Sequence, residues 1–176
     1  MRAFIAFDFN SKIKEKIGKI QSDFMNTAQN SKIKYVDYSQ FHQTVFFLDE
    51  ISEQKTGKII SELENLQIEN IPALSFEEIE YFPSSKNPKV IVLKSSTNNV
   101  LEKLVSDIDK SLNKLGFRRD KKFKPHITIG RVRDNFEYQD FKFTAFKANP
   151  ESLVLYKSTL TKVGPIYESI CKINLS

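Results

Sequence analysis

The chain has 176 residues, of which 40% are hydrophobic, and 27 lysines and arginines against 22 acids give a formal net charge of +5. This length favours one domain, spanning 1–176, with a single sizeable core, and no apolar run approaches the roughly 18 residues of a membrane span. The one cysteine, Cys171, excludes a disulfide framework and favours a reducing, cytoplasmic setting. The mild basic excess favours a polyanionic partner such as RNA, although scattered surface lysines give the same balance in many other proteins.

Strands and helices alternate in the first half of the chain. The opening stretch meets an acid after too few apolar residues for a signal peptide, so we interpret it as a buried first strand. Asn10 or Ser11 can cap the first helix and Ser52 the second. The predicted elements are a strand over 1–9, a helix from 11, strands over 33–36 and 41–48, a helix after 52, and a strand over 73–82.

The second half begins at a strong turn signal, Pro83–Pro88, which we expect to separate two lobes. Asn99 with Glu102 forms a candidate capping box for a third helix, and Gly116 is placed to end it. The predicted strands of this half are 89–93, 125–132, 141–147, 153–161 and 169–173.

Both histidines of the chain are followed two residues later by threonine. Residues i and i+2 of a strand point to the same face, so His42 with Thr44, and His126 with Thr128, each present an imidazole beside a hydroxyl. An imidazole pKa of about 6.5 lets one copy act as a base and another as an acid, and a threonine hydroxyl can donate to a phosphoryl oxygen. The four groups suit phosphodiester chemistry without a metal.

The two motifs lie 84 residues apart, close to half the chain length. This spacing predicts two related lobes that face each other across a pseudo-twofold axis, with one motif from each lobe in the cleft between them. A basic run, Arg118–Lys124, precedes the second motif. Two interpretations of it stay open, a solvated loop and part of a phosphate site.

Other classes of site are disfavoured. A lone histidine–threonine pair is most often structural, but its duplication at equivalent positions favours a functional role. No carboxylate or cysteine lies at ligand spacing to either histidine, so a zinc site is unsupported. Five glycines include neither a serine-nucleophile elbow nor a phosphate-cradling loop, which argues against acyl-enzyme chemistry and ATP-driven ligation.

Segments outside the motifs carry a family resemblance that covers nearly the whole chain. They are Arg2–Ala6, Phe46–Leu48, Pro88–Ile91, Ile129–Arg131 and Gly164–Tyr167. Together with the paired motifs, they resemble the two-histidine (2H) phosphoesterase superfamily, and within it the RNA 2',3'-cyclic phosphodiesterases, also called 2'-5' RNA ligases.

Three positions depart from the usual pattern of this family. Gln43 stands where leucine is common, Asp49 where glycine is common, and Lys89 where arginine is usual. Lys89 keeps the charge but loses the bidentate fork of a guanidinium. The departures bear on substrate preference and leave the four motif groups intact.

The resemblance implies a bilobal α+β domain with an antiparallel sheet in each lobe, helices on the outer faces and the active-site cleft between the lobes. It implies no metal and no cofactor, with His42 as the proton donor and His126 as the proton acceptor. Thr44 and Thr128 would hold the phosphate. Arg131 would offset its charge, but its odd offset from His126 requires a bulge or strand end near Gly130.

By strict alternation, Phe46 and Leu48 continue the face of His42. Phe47 follows His42 by five residues, as Arg131 follows His126, and is interpreted as core.

The implied partners are RNA 3' ends or nucleoside 2',3'-cyclic phosphates, with 2'-5' ligation as the reverse reaction, and we expect a monomer without membrane attachment. Two alternatives remain: a binding module without turnover, and an esterase for another cyclic phosphate or for 2'-5' oligonucleotides. Loops 49–54 and 118–124 are the expected sites of specificity.

Overall fold

The computed structural model describes residues 1–68, 70–162 and 164–175, and within them the chain forms nine strands and three α-helices. The helices are α1 Ser11–Thr27, α2 Glu53–Glu64 and α3 Asn99–Lys114, with a short 3-10 helix at Tyr38–Gln40. The strands are β1 Arg2–Asp8, β2 Ile33–Tyr35, β3 His42–Glu50, β4 Leu74–Phe82, β5 Val90–Ser95, β6 His126–Val132, β7 Phe146–Ala148, β8 Ser152–Thr161 and β9 Gly164–Asn174.

The strands form two antiparallel sheets. The first sheet has the order β3-β1-β8-β9 and the second the order β2-β6-β5-β4-β7. Apolar residues from both sheets and all three helices join in one buried cluster. The α+β fold with one antiparallel sheet in each lobe is therefore confirmed.

The turn at 83–88 lies inside the second sheet and does not separate the lobes. It joins β4 to β5, which pair antiparallel with Phe82 opposite Val90. The first sheet takes its strands from both ends of the chain, 2–50 and 152–174, so the lobes interleave along the sequence. The predicted lobe boundary is wrong because a strong turn signal marks a reversal of the chain, and antiparallel strands joined by a short loop usually pair with each other.

The helix ends follow local capping chemistry. Asn10 caps α1 and Ser52 caps α2, as predicted. The cap of α3 is Asn98 and not Asn99, since the Asn98 side chain accepts a hydrogen bond from the amide of Leu101 at 2.9 Å. Gly116 ends α3 with φ of 88°, a left-handed conformation that glycine adopts without steric cost.

The predicted strand over 141–147 is wrong for most of its length, because only Phe146–Ala148 pairs with β4. Phe141 and Phe143 instead pack against the core from an irregular segment. The ring of Phe141 meets that of Phe24 edge-on, with centroids 5.5 Å apart. Burial of these aromatic side chains, rather than strand pairing, accounts for the apolar pattern. No helix among the described residues is long and apolar enough to cross a membrane.

Each motif strand contains a β-bulge three residues after its histidine. In β3 the register moves from Ala6 opposite Thr44 to Ile5 opposite Phe46, so Val45 is the extra residue. The extra residue interrupts the alternation of faces, because two residues on the bulged strand oppose one on its partner. Phe47 therefore lies on the same face as His42 and Thr44. Phe47 is 70% exposed, whereas Phe46 and Leu48 are buried. The prediction that Phe47 is core is therefore wrong, as is the prediction that Phe46 and Leu48 share the face of His42.

The second motif has the same irregularity. In β6, Thr128 lies opposite Val92 and Gly130 opposite Ile91, which leaves Ile129 as the extra residue. Arg131 is thereby brought to the face of His126 and Thr128. The bulge near Gly130 that this arginine requires is thus present.

A side chain from a distant segment holds the carbonyl of each bulge residue. Arg119, in the loop after α3, donates to the Val45 oxygen at 2.6 Å. Gln21 of α1 donates through Nε2 to the oxygens of Ile129 at 2.8 Å and Val36 at 2.7 Å. Both donors are drawn from outside the strand they hold, so tertiary packing fixes the two bulges.

A buried hydrogen bond joins the two sheets behind the motifs. Ser95, at the end of β5, donates to Oε1 of Gln43, which lies between His42 and Thr44, at 2.7 Å. Gln43 is fully buried and Ser95 is 3% exposed. The glutamine that departs from the family pattern is therefore used as a link between sheets, a contact that leucine could not make.

We expect Gln21→Met to lower the free energy of unfolding by about 1–3 kcal/mol, because it removes the amide that two partly or fully buried carbonyls share. Methionine is unbranched and has nearly the helix propensity of glutamine, so the change tests the hydrogen bonds. Urea denaturation monitored by circular dichroism measures the difference.

The matched control is Gln54→Met, which makes the same replacement on the exposed side of α2. Its effect should stay within about 0.5 kcal/mol. Equal stabilities for the two variants would contradict the role of Gln21 in holding the second bulge.

Candidate active site

One cleft of about 490 Å³ lies between the two sheets and contains both motifs. The first sheet contributes His42 and Thr44, and the second contributes His126, Thr128 and Arg131. All five residues predicted from the sequence line this cleft. The bulges explain how side chains two residues and five residues after each histidine reach the same face of the strand as that histidine.

The two imidazoles are held in the same tautomer. Nδ1 of His42 lies 2.7 Å from the carbonyl oxygen of Gln40, and Nδ1 of His126 lies 2.6 Å from that of Lys124. A carbonyl oxygen only accepts hydrogen bonds, so Nδ1 carries a proton in both rings. Nε2 is then the nitrogen that gains or loses a proton in each case.

Aromatic rings surround His42. The Phe4 ring lies 4.9 Å away between centroids, and Tyr167 meets the imidazole edge-on at 5.2 Å. Burial lowers the pKa of His42 from 6.5 to about 4, because a charged imidazolium is poorly solvated there. The Asp8 carboxylate acts in the opposite direction, but Lys14 pairs with Asp8 at 2.7 Å and weakens this effect.

His126 is packed against Phe82, whose ring meets it edge-on with centroids 5.1 Å apart. Burial also lowers the pKa of His126, and the positive charges of Arg131 and Lys124 act in the same direction. A charge on His126, which lines the same cleft, in turn lowers the pKa of His42. Both pKa values are therefore below the usual 6.5, which favours the neutral form of each imidazole at neutral pH.

Arg131 contributes a cation on the second-sheet side of the cleft. Burial raises the pKa of Tyr167, on the first-sheet side, and the charge of Arg131 opposes that rise. Three further cations line the same cleft, namely Arg2, Lys34 and Arg133, whereas its lining carboxylates are those of Asp37 and Asp49. The excess of positive over negative side chains favours an anionic ligand.

Five aromatic side chains of the cleft were not assigned to the site from the sequence. They are Phe4, Tyr35, Phe47, Phe82 and Tyr167. The sequence contained a signal for Phe47. This residue follows His42 by five positions, just as Arg131 follows His126 by five positions. If one motif strand needs a bulge, its pseudo-symmetric partner is expected to contain the same bulge.

Asp49 has φ of 53°, in the left-handed region, at the position where the family usually has glycine. Aspartate tolerates this conformation better than most residues, because its short polar side chain can bond locally. Asp49 thus adopts the left-handed backbone conformation that glycine adopts readily, while its side chain adds a carboxylate to the lining of the cleft.

The arrangement supplies two proton-exchanging nitrogens, two hydroxyl donors and a guanidinium around one space. Such a set can transfer protons on two sides of a phosphoryl group and stabilise charge on its oxygens. Within residues 1–68, 70–162 and 164–175, no group of three or more histidine, cysteine, aspartate or glutamate side chains could hold a metal ion.

Comparison with known proteins gives concordant results. The sequence model of the family described as LigT like Phosphoesterase matches the chain twice, over residues 8–92 and 93–167. The RNA 2',3'-cyclic phosphodiesterase of Methanocaldococcus jannaschii is 38% identical over 97% of this chain and 98% of its own length. The proteins of the same name from Archaeoglobus fulgidus and Thermotoga maritima are each 34% identical, over 97% and 96% of this chain and 98% and 92% of their own lengths.

Solved structures agree on the fold. TT0787 of Thermus thermophilus superposes with a TM-score of 0.84 at 24% identity, covering 99% of this chain and 98% of its own. The E. coli LigT complexed with 3'-AMP gives a TM-score of 0.78 at 19% identity with the same coverage. The family match over most of the sequence and the close relatives show that this chain belongs to the LigT-like phosphoesterase family.

Proposed function

We propose that this protein hydrolyses the 2',3'-cyclic phosphate of an RNA end or nucleoside to a 2'-phosphomonoester by two-histidine acid–base catalysis, without a metal ion. The observation that carries the proposal is the pair of imidazoles, each with Nε2 available for proton exchange and each beside a threonine, in one cleft. The names of the relatives support the same substrate class.

In the proposed reaction, water attacks phosphorus in line with the bond to the 3'-oxygen. Neutral His126 accepts a proton from the water through Nε2 as the new P–O bond forms. His42 donates its Nε2 proton to the 3'-oxygen as the P–O3' bond breaks, so the product is a 2'-phosphate with a free 3'-hydroxyl. Each proton transfer contributes roughly a hundred- to ten-thousand-fold. A 5'-hydroxyl in place of water would give 2'-5' ligation.

Charged neighbours act on both rings in the same way. Asp8 favours the protonated form of His42 and Glu80 that of His126, while Lys14 opposes the first effect and Arg131 and Lys124 oppose the second. The division of roles therefore follows the assignment usual in the family that the sequence resembles. Burial is the largest cause that favours neutral His42, and the charges of Lys14 and His126 add to it, so the acid needs a further negative charge nearby before it can carry a proton. The cyclic phosphate monoanion supplies that charge when it binds.

Thr44 and Thr128 are proposed to donate hydrogen bonds to the non-bridging oxygens, and Arg131 to offset the charge that develops as phosphorus becomes pentacoordinate. All these groups come from one chain, which supports action as a monomer. We further propose a cytoplasmic location, in keeping with the single cysteine.

We expect His42→Ala and His126→Ala each to lower kcat for 2',3'-cyclic AMP by at least about 100-fold, because each removes one proton transfer. Thermal unfolding followed by circular dichroism checks that both variants remain folded. Wild-type turnover should persist in excess EDTA.

The roles of the histidines can be separated with an aryl phosphodiester. Nitrophenolate leaves without protonation, so loss of the general acid matters less than loss of the general base. His42→Ala should therefore keep a larger fraction of its activity on this ester than His126→Ala does. The opposite order would reverse the two assignments, and near wild-type turnover of the cyclic nucleotide by either variant would reject the mechanism.

The pH profile of kcat/KM should be bell-shaped, with both limbs below pH 6.5. Activity rises as the base deprotonates and falls as the acid loses its proton, and burial lowers the pKa of both histidines below 6.5 in the free enzyme. The pH profile of kcat should lie at higher pH, since the bound anion raises the pKa values of both His42 and His126. A basic limb of kcat/KM well above pH 6.5 would contradict the burial argument.

Thr44→Val and Thr128→Val should each lower kcat by about 100- to 1,000-fold, the usual effect of removing one hydrogen-bond donor from a developing oxyanion. Thr→Ser at either position keeps the hydroxyl and should restore most of the activity. Thr159→Val, on an exposed part of β8, is the matched control. Steady-state kinetics on 2',3'-cyclic AMP measures all five variants, and equal rates for the valine and serine variants would exclude a donor role.

A further inference from the structure

A second cavity, of about 1110 Å³, adjoins the catalytic cleft. Thr44, Phe47, Phe82 and His126 line both spaces, so the second cavity opens from the side of the cleft where the catalytic groups lie. The volume of the catalytic cleft, about 490 Å³, accommodates a small ligand. The larger space beside it provides room for more of the same substrate.

The wall of the second cavity is basic. Its exposed cations are Lys89, Arg118, Lys121, Lys122 and Lys124. The carboxylates that line it are Asp49 and Asp120. The excess of positive charge is complementary to a polyanion, and most of it comes from the loop 118–124 directly before the second motif.

Arg119 fixes this loop against the motif strand of the first sheet. Its guanidinium makes a bidentate pair with Asp109, with the Nε atom 2.9 Å from Oδ2, and donates to the Val45 oxygen at 2.6 Å. It also lies 5.0 Å from the centre of the Phe46 ring. The loop is therefore held in place by its second arginine, while the neighbouring cations remain exposed.

Aromatic side chains stand where the two cavities meet. Phe47 is 70% exposed on the bulged strand β3, and Phe82 lies at the end of β4. Exposed aromatic faces beside a basic track are typical of sites for single-stranded nucleic acids, because bases stack on the rings while cations pair with phosphates. An acidic peptide would match the charge but would leave the exposed Phe47 ring without a planar partner.

We propose that the second cavity binds the single-stranded RNA segment that precedes the terminal cyclic phosphate, so that the protein takes an oligonucleotide in preference to a mononucleotide. The loop cations pair with successive phosphates, and Phe47 stacks on a base near the reacting end. The assignment rests on the proposed function, because it places the cyclic phosphate between His42 and His126.

Binding can be tested separately from turnover. In a His126→Ala background, which prevents hydrolysis, the affinity for a 5'-labelled RNA octamer ending in a 2',3'-cyclic phosphate is measured by fluorescence anisotropy at several salt concentrations. Lys121→Gln/Lys122→Gln should weaken binding by about five- to tenfold at low salt. It should also reduce the slope of log affinity against log salt by about 1.4, roughly 0.7 for each lost phosphate contact.

The control is Lys12→Gln/Lys19→Gln, which removes the same charge from exposed positions of α1. In the catalytic background, the ratio of kcat/KM for the octamer to that for 2',3'-cyclic AMP should exceed one for the wild type and fall in the loop variant only. Equal effects of the two double variants on octamer affinity, or a wild-type ratio of one, would overturn the strand-binding proposal while leaving cyclic phosphate hydrolysis intact. Tight octamer binding without hydrolysis of either substrate would instead overturn the proposed function.

Discussion

The geometry of the site depends on the bulge that lies three residues after the histidine in each motif strand. Without the bulges at Val45 and Ile129, strict alternation would turn Phe47 and Arg131 away from the histidines. The carbonyl of each bulge residue accepts a hydrogen bond from a distant side chain, Arg119 for Val45 and Gln21 for Ile129, and the Ile129 oxygen also accepts from the Val36 amide at 3.1 Å. These two side chains support the shape of the site although they do not line the catalytic cleft.

Burial of the two imidazoles in the cleft also affects their protonation. Both imidazoles donate Nδ1–H to a backbone carbonyl two residues earlier, which fixes the tautomer independently of ligand. Burial lowers the pKa of both rings, which disfavours the positively charged form of each. In the proposed mechanism one imidazole must carry a proton, and the negative charge of a bound phosphate would stabilise that protonated form. A neutral molecule of similar shape would not stabilise it.

The sequence was sufficient for the parts of the site that depend on local rules. The spacing of His42 and Thr44 and of His126 and Thr128 follows from strand geometry, and the caps at Asn10 and Ser52 follow from side-chain chemistry at helix starts. The position of Phe47 was predicted wrongly although its offset from His42 equals that of Arg131 from His126; the arginine that holds its bulge lies 74 residues away and gives no local signal. The lobe boundary failed for a similar reason: a turn signal reports that the chain reverses, not which sheet the next strand joins.

The interleaving of the sheets has a mechanical consequence. The chain enters the first sheet, passes to the second, returns for β3, and only after the whole second sheet is complete adds β8 and β9 to the first. Neither lobe is a continuous length of polypeptide, so neither can come apart as an independent unit, and melting is expected to be a single all-or-none event. The opening between the lobes is spanned by several separate crossings of the backbone, which resist a wide swing about any one hinge.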